Sequence, residues 1–555
     1  MDSQLRDDVH DDEFPKLTTI DLDSYFKEQI AYFYVNLTRK DFIEDVLELS
    51  KKLDIVLRFL KQQIRHNGSF VKYLELFYKM LAQTRDISNG KGEHCISYMM
   101  ILAFYEVFPS LAIYAVYRFC KPVGDIDALG SWRDIKYLCE HIRLYSNKRE
   151  NHELINICIQ LMNSQLKTDL ESWKFSINAG SRNHISNVAK WIPREKKKFD
   201  WLFNRLVIDW IKTNKSYMFT NTDDSWIAAI LKAKRIYRKK VAFLNKILDT
   251  TEIKLCSQNK NEIDPKNIYC YTSMKNRALL ASSSDGPLTN SRHNHYPIAF
   301  FIKEAIRLTN NKNSHGYICS ECDREIETLN KQWEWLSKSI PNYEFENILP
   351  ILDISENMQK NDAYAFYSAI GYAIIIAERS SWGKRILAVD HKPIWINLES
   401  NIPFVDTVEN IFNIIKSNSN TNSNMETAME LLILSFMETK STPRFIKNVT
   451  LVLLSNNLNA LSQCKDTFIN YGYNVPRFII WNIEKYNIRE LPYDINEKGC
   501  VFSGMSNGIL KSLSALLWHI KTKNMSLFEN ISFILNNPKY DVFGDHLKEL
   551  IHKFP

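Results

Sequence analysis

The hydrophobic period changes once along this chain, and that change limits the folds open to it. Up to about residue 340 the apolar residues recur at helical spacing: Phe42, Val46 and Leu49 share one face, and Leu57, Leu60 and Ile64 repeat the pattern. From Glu346 onward, short apolar runs alternate with longer amphipathic ones. The spacing predicts strands over 347–354, 384–389, 448–454 and 477–483, with another beginning at Val501 and a hairpin partner at 393–398. Helices are predicted between them, over 363–378, 405–415 and 426–436. Strands alternating with helices imply a mostly parallel sheet covered on both faces, whose functional rim lies at the carboxyl ends of the strands. Asp353, Ser355 and Asn456 fall on that rim.

The helical part reads as paired helices with short connections. They cover 18–82, His94 to Val107, Pro109 to Lys121, a helix capped by Ser131, and then 151–165, 182–191, 200–212 and 234–249. No strict repeat period is present, so the expectation is a degenerate helical-repeat array. Pro265, Pro287 and Pro297 punctuate 250–343, an irregular segment with one helix from Pro297 to Leu308. The sequence therefore predicts a multidomain chain: an acidic flexible tail over 1–17, a mainly α-helical region over 18–343 and an α/β, Rossmann-like domain over 344–555.

Composition narrows the classes. Hydrophobic residues at 45% and charged residues at 24% exclude wholesale disorder, and only 15 Gly and 16 Pro disfavour a turn-rich all-β protein. Most of the ten Cys lie in apolar stretches, which fits reduced core thiols. No basic-then-apolar leader is present, and the longest apolar runs, such as 370–377, are too short to span a bilayer. The expectation is an intracellular, cytoplasmic protein with no membrane partner.

The net charge of +7 is mild for this length but unevenly spread. Lys232, Lys234, Arg235, Arg238, Lys239 and Lys240 place six cations in nine residues. Such a run is either a solvated helix face or a polyanion contact in which Lys234, Arg238 and Tyr237 track a phosphate backbone. Lys190, Arg194, Lys196, Lys197 and Lys198 would extend the patch. Three other motifs point less far. Cys319 and Cys322 with His315 supply three ligands for a tetrahedral site, but a fourth would need His293 or His295 to fold back, so free thiols are expected rather than zinc. Arg85 to Gly92 holds Gly90-Lys91-Gly92 but lacks the phosphate-loop spacing, and reads as a structural turn between helices. No catalytic constellation stands out, so an enzyme is not expected.

Several stretches carry a family resemblance: 84–93 (TRDISNGKGE), 130–138 (GSWRDIKYL), 187–195 (NVAKWIPRE), 237–256 (YRKKVAFLNKILDTTEIKLC), 349–358 (LPILDISENM), 424–434 (NMETAMELLIL), 468–483 (FINYGYNVPRFIIWNI) and 497–513 (EKGCVFSGMSNGILKSL). In that order they resemble an uncharacterised family of plants, fungi and giant viruses that joins a helical region to a von Willebrand factor A-like domain. That family is in turn distantly similar to the Ro autoantigen (TROVE) proteins, whose helical ring binds small RNAs. Asp353 to Asn357 resembles the first metal motif of von Willebrand factor A domains, Asp-x-Ser-x-Ser, with Asn357 in place of the second Ser. The resemblance places Ser423-Asn424 at the second loop and Ser455-Asn456 at the third, where Thr-Asp and Ser followed by Asp are usual. Only Asp353 then keeps a charge, so a decayed site with weak or no Mg²⁺ binding and no other cofactor is expected. The resemblance implies a scaffold binding structured RNA or ribonucleoprotein. The retained Asp353-x-Ser355 leaves open a protein-interaction module acting through the rim.

Overall fold

A computed structural model describes residues 19–179, 185–213, 223–248, 297–315, 320–340, 345, 347–359, 363–418, 424–455, 460–483, 491, 494–523 and 525–551. The tail over 1–17 and most of the irregular segment, 249–296, lie outside the described residues.

The amino-terminal region is mostly helical, as its periodicity demands. Helices Thr19–Asn36, Ile43–His66, Val71–Arg85, Cys95–Val107, Pro109–Cys120, Trp132–Tyr145, Glu153–Ala179, Asp200–Thr213 and Asp223–Leu248 follow one another, with a short turn of helix at Val188–Trp191. From Val71 on, each long helix packs against the next in sequence. Pro109 occupies the first turn of its helix, where its missing N–H is not needed. Asp223–Leu248 starts eleven residues before the helix expected from 234. Two further helices lie in the irregular segment: Ile298–His315 contains and extends the helix expected from Pro297 to Leu308, and Ser320–Lys338 stands where loop is expected. The second is strongly charged, yet Leu329, Trp333 and Leu336 fall on one side and are buried. A sparse apolar stripe suffices when a neighbour covers it.

The carboxyl-terminal region holds a mixed six-stranded sheet. Its strands are β1 (Ile348–Asp353), β2 (Arg385–Val389), β3 (Ile394–Asn397), β4 (Thr450–Ser455), β5 (Arg477–Asn482) and β6 (Cys500–Ser503). The order is β3-β2-β1-β4-β5-β6, parallel throughout except for the β2–β3 edge pair. Every residue of β1 and β4 is buried, which explains why these strands read as continuous apolar runs rather than alternations. The chain steps outward from β1 through β2 to β3 and then returns to lay β4 on the other side of β1, so the crevice of such a sheet lies at the carboxyl ends of those two parallel strands.

Packing crosses residue 344 in both directions. Ile298–His315 lies along Ala363–Arg379, and Ile298 sits where a side chain on Gly371 would be, 2.7 Å from an added Cβ. Trp333 stacks on Phe404 with centroids 3.9 Å apart. Returning the other way, Leu527–Leu535 packs on Thr19–Asn36 and Val71–Arg85, and Asp541–Leu550 packs on Val71–Arg85 and Pro109–Cys120. Tyr78 meets Phe543 edge-on at 4.7 Å, and His546 stacks on Tyr114 at 3.9 Å. Among the described residues, no helix is long and apolar enough to cross a membrane.

Candidate functional site

The rim is built by the last residues of β1, β2 and β4. Asp353 ends β1 and is buried; its Oδ1 accepts from the Ser355 amide at 3.0 Å, and its Oδ2 accepts from Ser455 Oγ at 2.8 Å. Both carboxylate oxygens are thus engaged, one within its own loop and one across the switch point, and Ser355 is buried beside them. Asn424 sits at the next loop, where its amide donates to the Asp390 carbonyl at 3.2 Å. Its side-chain oxygen turns into its own helix and caps it by accepting from Thr427 N at 3.2 Å. Asn357 lies on the short helix Glu356–Gln359, while Ser423 and Asn456 fall outside the described residues. The structure adds a residue that the motif comparison missed: Asp390, fully buried one position beyond β2. The signal was an acid directly after a predicted strand, but the metal-motif pattern has no position for it. Among the described residues, no group of three or more His, Cys, Asp or Glu is placed to hold a metal ion.

Of the other metal candidates, Cys319, His293 and His295 are outside the described residues, as is the His315 side chain. Cys322 is half-buried, with its Sγ 4.0 Å from the Leu308 carbonyl.

The two basic segments meet. Glu195 bridges Lys234 Nζ at 3.5 Å and Arg238 Nη1 at 2.5 Å, and Asn245 Nδ2 donates to the Ala189 carbonyl at 3.1 Å. The run 232–240 lies on one helix, with Lys232, Arg235, Arg238 and Lys239 exposed and Lys234 and Lys240 half-buried. Lys240 Nζ lies 4.8 Å from the Trp210 ring centre, and burial together with Lys174 pulls its pKa down. Tyr237 does not belong to the exposed face, contrary to the sequence reading. It is wholly buried, and its hydroxyl donates to Asn163 Oδ1 at 2.8 Å. Ala233, Tyr237 and Leu244 turn inward at helical spacing, so the cations between them must turn outward.

Arg194, Lys196, Lys197, Lys198, Lys232, Arg235 and Lys239 make no ion pair among the described residues. The helix Trp132–Tyr145 adds to this face. Arg133 lies over Trp191 at 5.7 Å and Lys136 at 5.2 Å, with Lys190 at 5.8 Å from the same ring. Lys136 is pulled below the usual lysine range by burial and by Arg133. Residues 133 and 136 share a helix face by spacing, but only packing shows that this face meets Trp191.

The Gly90-Lys91-Gly92 turn proves to be a weld between the two regions. Lys91 is fully buried, and its ammonium donates to the carbonyls of Tyr34 and Leu37 and to Ser503 Oγ. Burial drives its pKa well below the usual lysine value. Ser506 donates to the Gly90 carbonyl, Ser512 donates to the Asn89 carbonyl at 3.1 Å, and Tyr540 donates to Asp86 at 3.0 Å. Gly508 has no side chain because a Cβ there would lie 2.7 Å from the Gly90 carbonyl oxygen. On the other side of the turn, Arg85 grips Asp134 side-on at 2.9 and 2.7 Å, and Gly130 leaves room for that pair. The stretches 84–93, 130–138 and 497–513 therefore converge in space.

Comparison with known proteins agrees with part of this picture. Residues 347–517, which span the sheet, match the family model described as "Domain of unknown function (DUF7788)". The chain is also 24% identical over 469 residues to "Uncharacterized protein L728" of Acanthamoeba polyphaga mimivirus, an alignment covering 78% of this chain and 76% of that protein.

Proposed function

We propose that this chain is a scaffold that binds structured RNA through the basic face shared by 133–136, 190–198 and 232–240. The observation that carries the reading is the meeting of two helices with the turn between Trp191 and Asp200, with seven cations left without an acidic partner among the described residues. Self-repelling charge concentrated on a folded surface is stabilised by a polyanion, whose bound counterions are released on contact. Trp191 gathers Arg133, Lys136 and Lys190 around one ring, which concentrates positive charge at this face. In this reading the α/β domain is von Willebrand factor A-like with a decayed metal rim. Its support is the sheet order, the Asp353-x-Ser355 motif and the engagement of both Asp353 oxygens by serine and backbone donors.

The test is fluorescence anisotropy of the full chain with a panel of hairpin and bulged RNAs across a salt series. Affinity is expected to fall steeply as salt rises. Changing Lys196, Lys197, Arg235 and Lys239 together to Gln should weaken binding roughly tenfold or more and flatten the salt slope, without shifting preference among the RNAs. Absence of salt-dependent binding, or a variant that binds as tightly as the parent, would overturn the proposal.

A further inference from the structure

At the opposite end of the sheet from Asp353, the chain encloses a second feature of chemical interest. A cavity of about 870 Å³ opens beside the amino ends of β5 and β6. Arg477 is the first residue of β5, and Cys500 is the first of β6. The walls come from the end of Pro443–Asn448, from Ala460–Asn470 and from the carboxyl end of Asn507–Thr522.

Two properties of the lining stand together. Its apolar part includes Ile469, Val475, Ile520 and Met525, with Ile469 60% exposed. Its charged part contains five cations and one carboxylate, and that carboxylate, Glu497, is taken by Lys465. Lys447, Arg477, Lys498 and Lys523 make no ion pair among the described residues. Arg477 is half-buried, and burial lowers its pKa with no acidic group opposing the shift. A guanidinium removed from water without a partner carries a desolvation cost that a bound anion would offset. The volume lies within the range of sites for small organic ligands.

We propose that this cavity binds an amphipathic organic anion, its phosphate or carboxylate held by Arg477 and the lysines and its apolar body lying against Ile469, Val475 and Ile520. A planar fork such as Arg477 suits either head group, because both offer paired oxygens. The site is separate from the RNA face, which is built by other elements.

Calorimetric titration of the full chain with 2-naphthyl phosphate, 2-naphthoate and 2-naphthol tests the proposal. The three share one apolar body and differ in charge. At least one anion should saturate at one site per chain and bind at least tenfold more tightly than the neutral naphthol. The tighter of the two anions identifies the head group. Arg477→Gln should reduce anion affinity tenfold or more and leave naphthol unchanged. Should that variant misfold, the double change Lys498→Gln and Lys523→Gln, both at exposed positions, is expected to weaken the anion severalfold. Equal affinity for anion and naphthol, or anion binding untouched by these changes in folded protein, would overturn the assignment.

Discussion

Asp134 shows how much one buried charge can determine. It accepts from Arg85 twice, from Tyr98 at 2.7 Å and from the Ser131 amide at 2.7 Å, with His94 Nδ1 at 3.0 Å. Burial alone would raise its pKa, but Arg85 and then His94 outweigh burial and hold it well below the usual carboxylate range. A carboxylate depressed in the folded state contributes stability above its unfolded pKa, and that contribution is lost as pH falls below about 4. Arg85→Met, which strands the acid, is expected to cost about 3–5 kcal/mol in urea unfolding. Gly130→Ala should also destabilise, since its Cβ would stand 2.5 Å from Asp134 Oδ2. His141 acts in a higher window. It is buried between Tyr98 and Tyr145, and burial pushes its pKa down to about 4. The unfolded chain therefore binds a proton between about pH 6.5 and 4 that the folded chain refuses, and stability should fall by roughly 3 kcal/mol as pH drops through that window. Urea midpoints measured from pH 7 to 4.5 should show this slope, and His141→Gln should remove its share. A slope unchanged in that variant would refute the assignment to His141.

At the scale of an element, Asp223–Leu248 carries two independent surfaces. The inner one rests on Ala233, Tyr237 and Leu244, the outer on Lys232, Arg235 and Lys239. Tyr237→Phe leaves Asn163 Oδ1 without the donor it has in the folded state, and should cost about 1–3 kcal/mol while sparing RNA affinity. Changing Lys232, Arg235 and Lys239 to Gln should have the opposite profile, with stability altered by less than about 0.5 kcal/mol each and RNA affinity reduced. Paired thermal melts and anisotropy titrations read both effects. If both variants lose stability and binding in parallel, the two faces are not separable. The two-faced pattern was half visible in the sequence. The cations are plain, but Tyr237, expected beside Lys234 and Arg238 along a phosphate backbone, faces the core.

The whole molecule is held by contacts that run between its first hundred residues and its last hundred. Lys91, Asp86 and Gly90 on one side meet Ser503, Ser506, Gly508 and Tyr540 on the other. Gly508→Ala would press a methyl against the Asn89–Gly90 backbone, which cannot move as a side-chain end can, and should cost about 1–3 kcal/mol. A fragment beginning at 344 would bare the surface of Ala363–Arg379 that Ile298–His315 covers, and would leave Tyr540 and Phe543 without their partners. We expect that fragment to be poorly soluble and the full chain to unfold in a single transition with coincident fluorescence and circular-dichroism midpoints. Two separated transitions, with a well-folded 344–555 fragment, would show that the weld contributes little.

Local chemistry made much of this legible from the residues alone. Helical spacing in 42–64 fixes the period, with Val46, Leu49, Leu57 and Leu60 buried although Phe42, just ahead of the helix, is exposed, and continuous apolar runs at 348–353 and 450–455 mark buried strands. Asp353 at a strand end and the six cations of 232–240 were likewise plain, because charge and strand polarity are properties of a segment. What the tertiary structure decided was which segments face one another. Asn424 spends its side-chain oxygen on a helix cap, Asp390 joins the buried rim, and Glu195 links two basic runs some forty residues apart. The lysine in Gly90-Lys91-Gly92 looked like part of a simple turn. It became a buried bridge only because β6, more than four hundred residues later, brings Ser503 to its ammonium. Such partners are set by long-range packing, whose loop-closure cost no local pattern records.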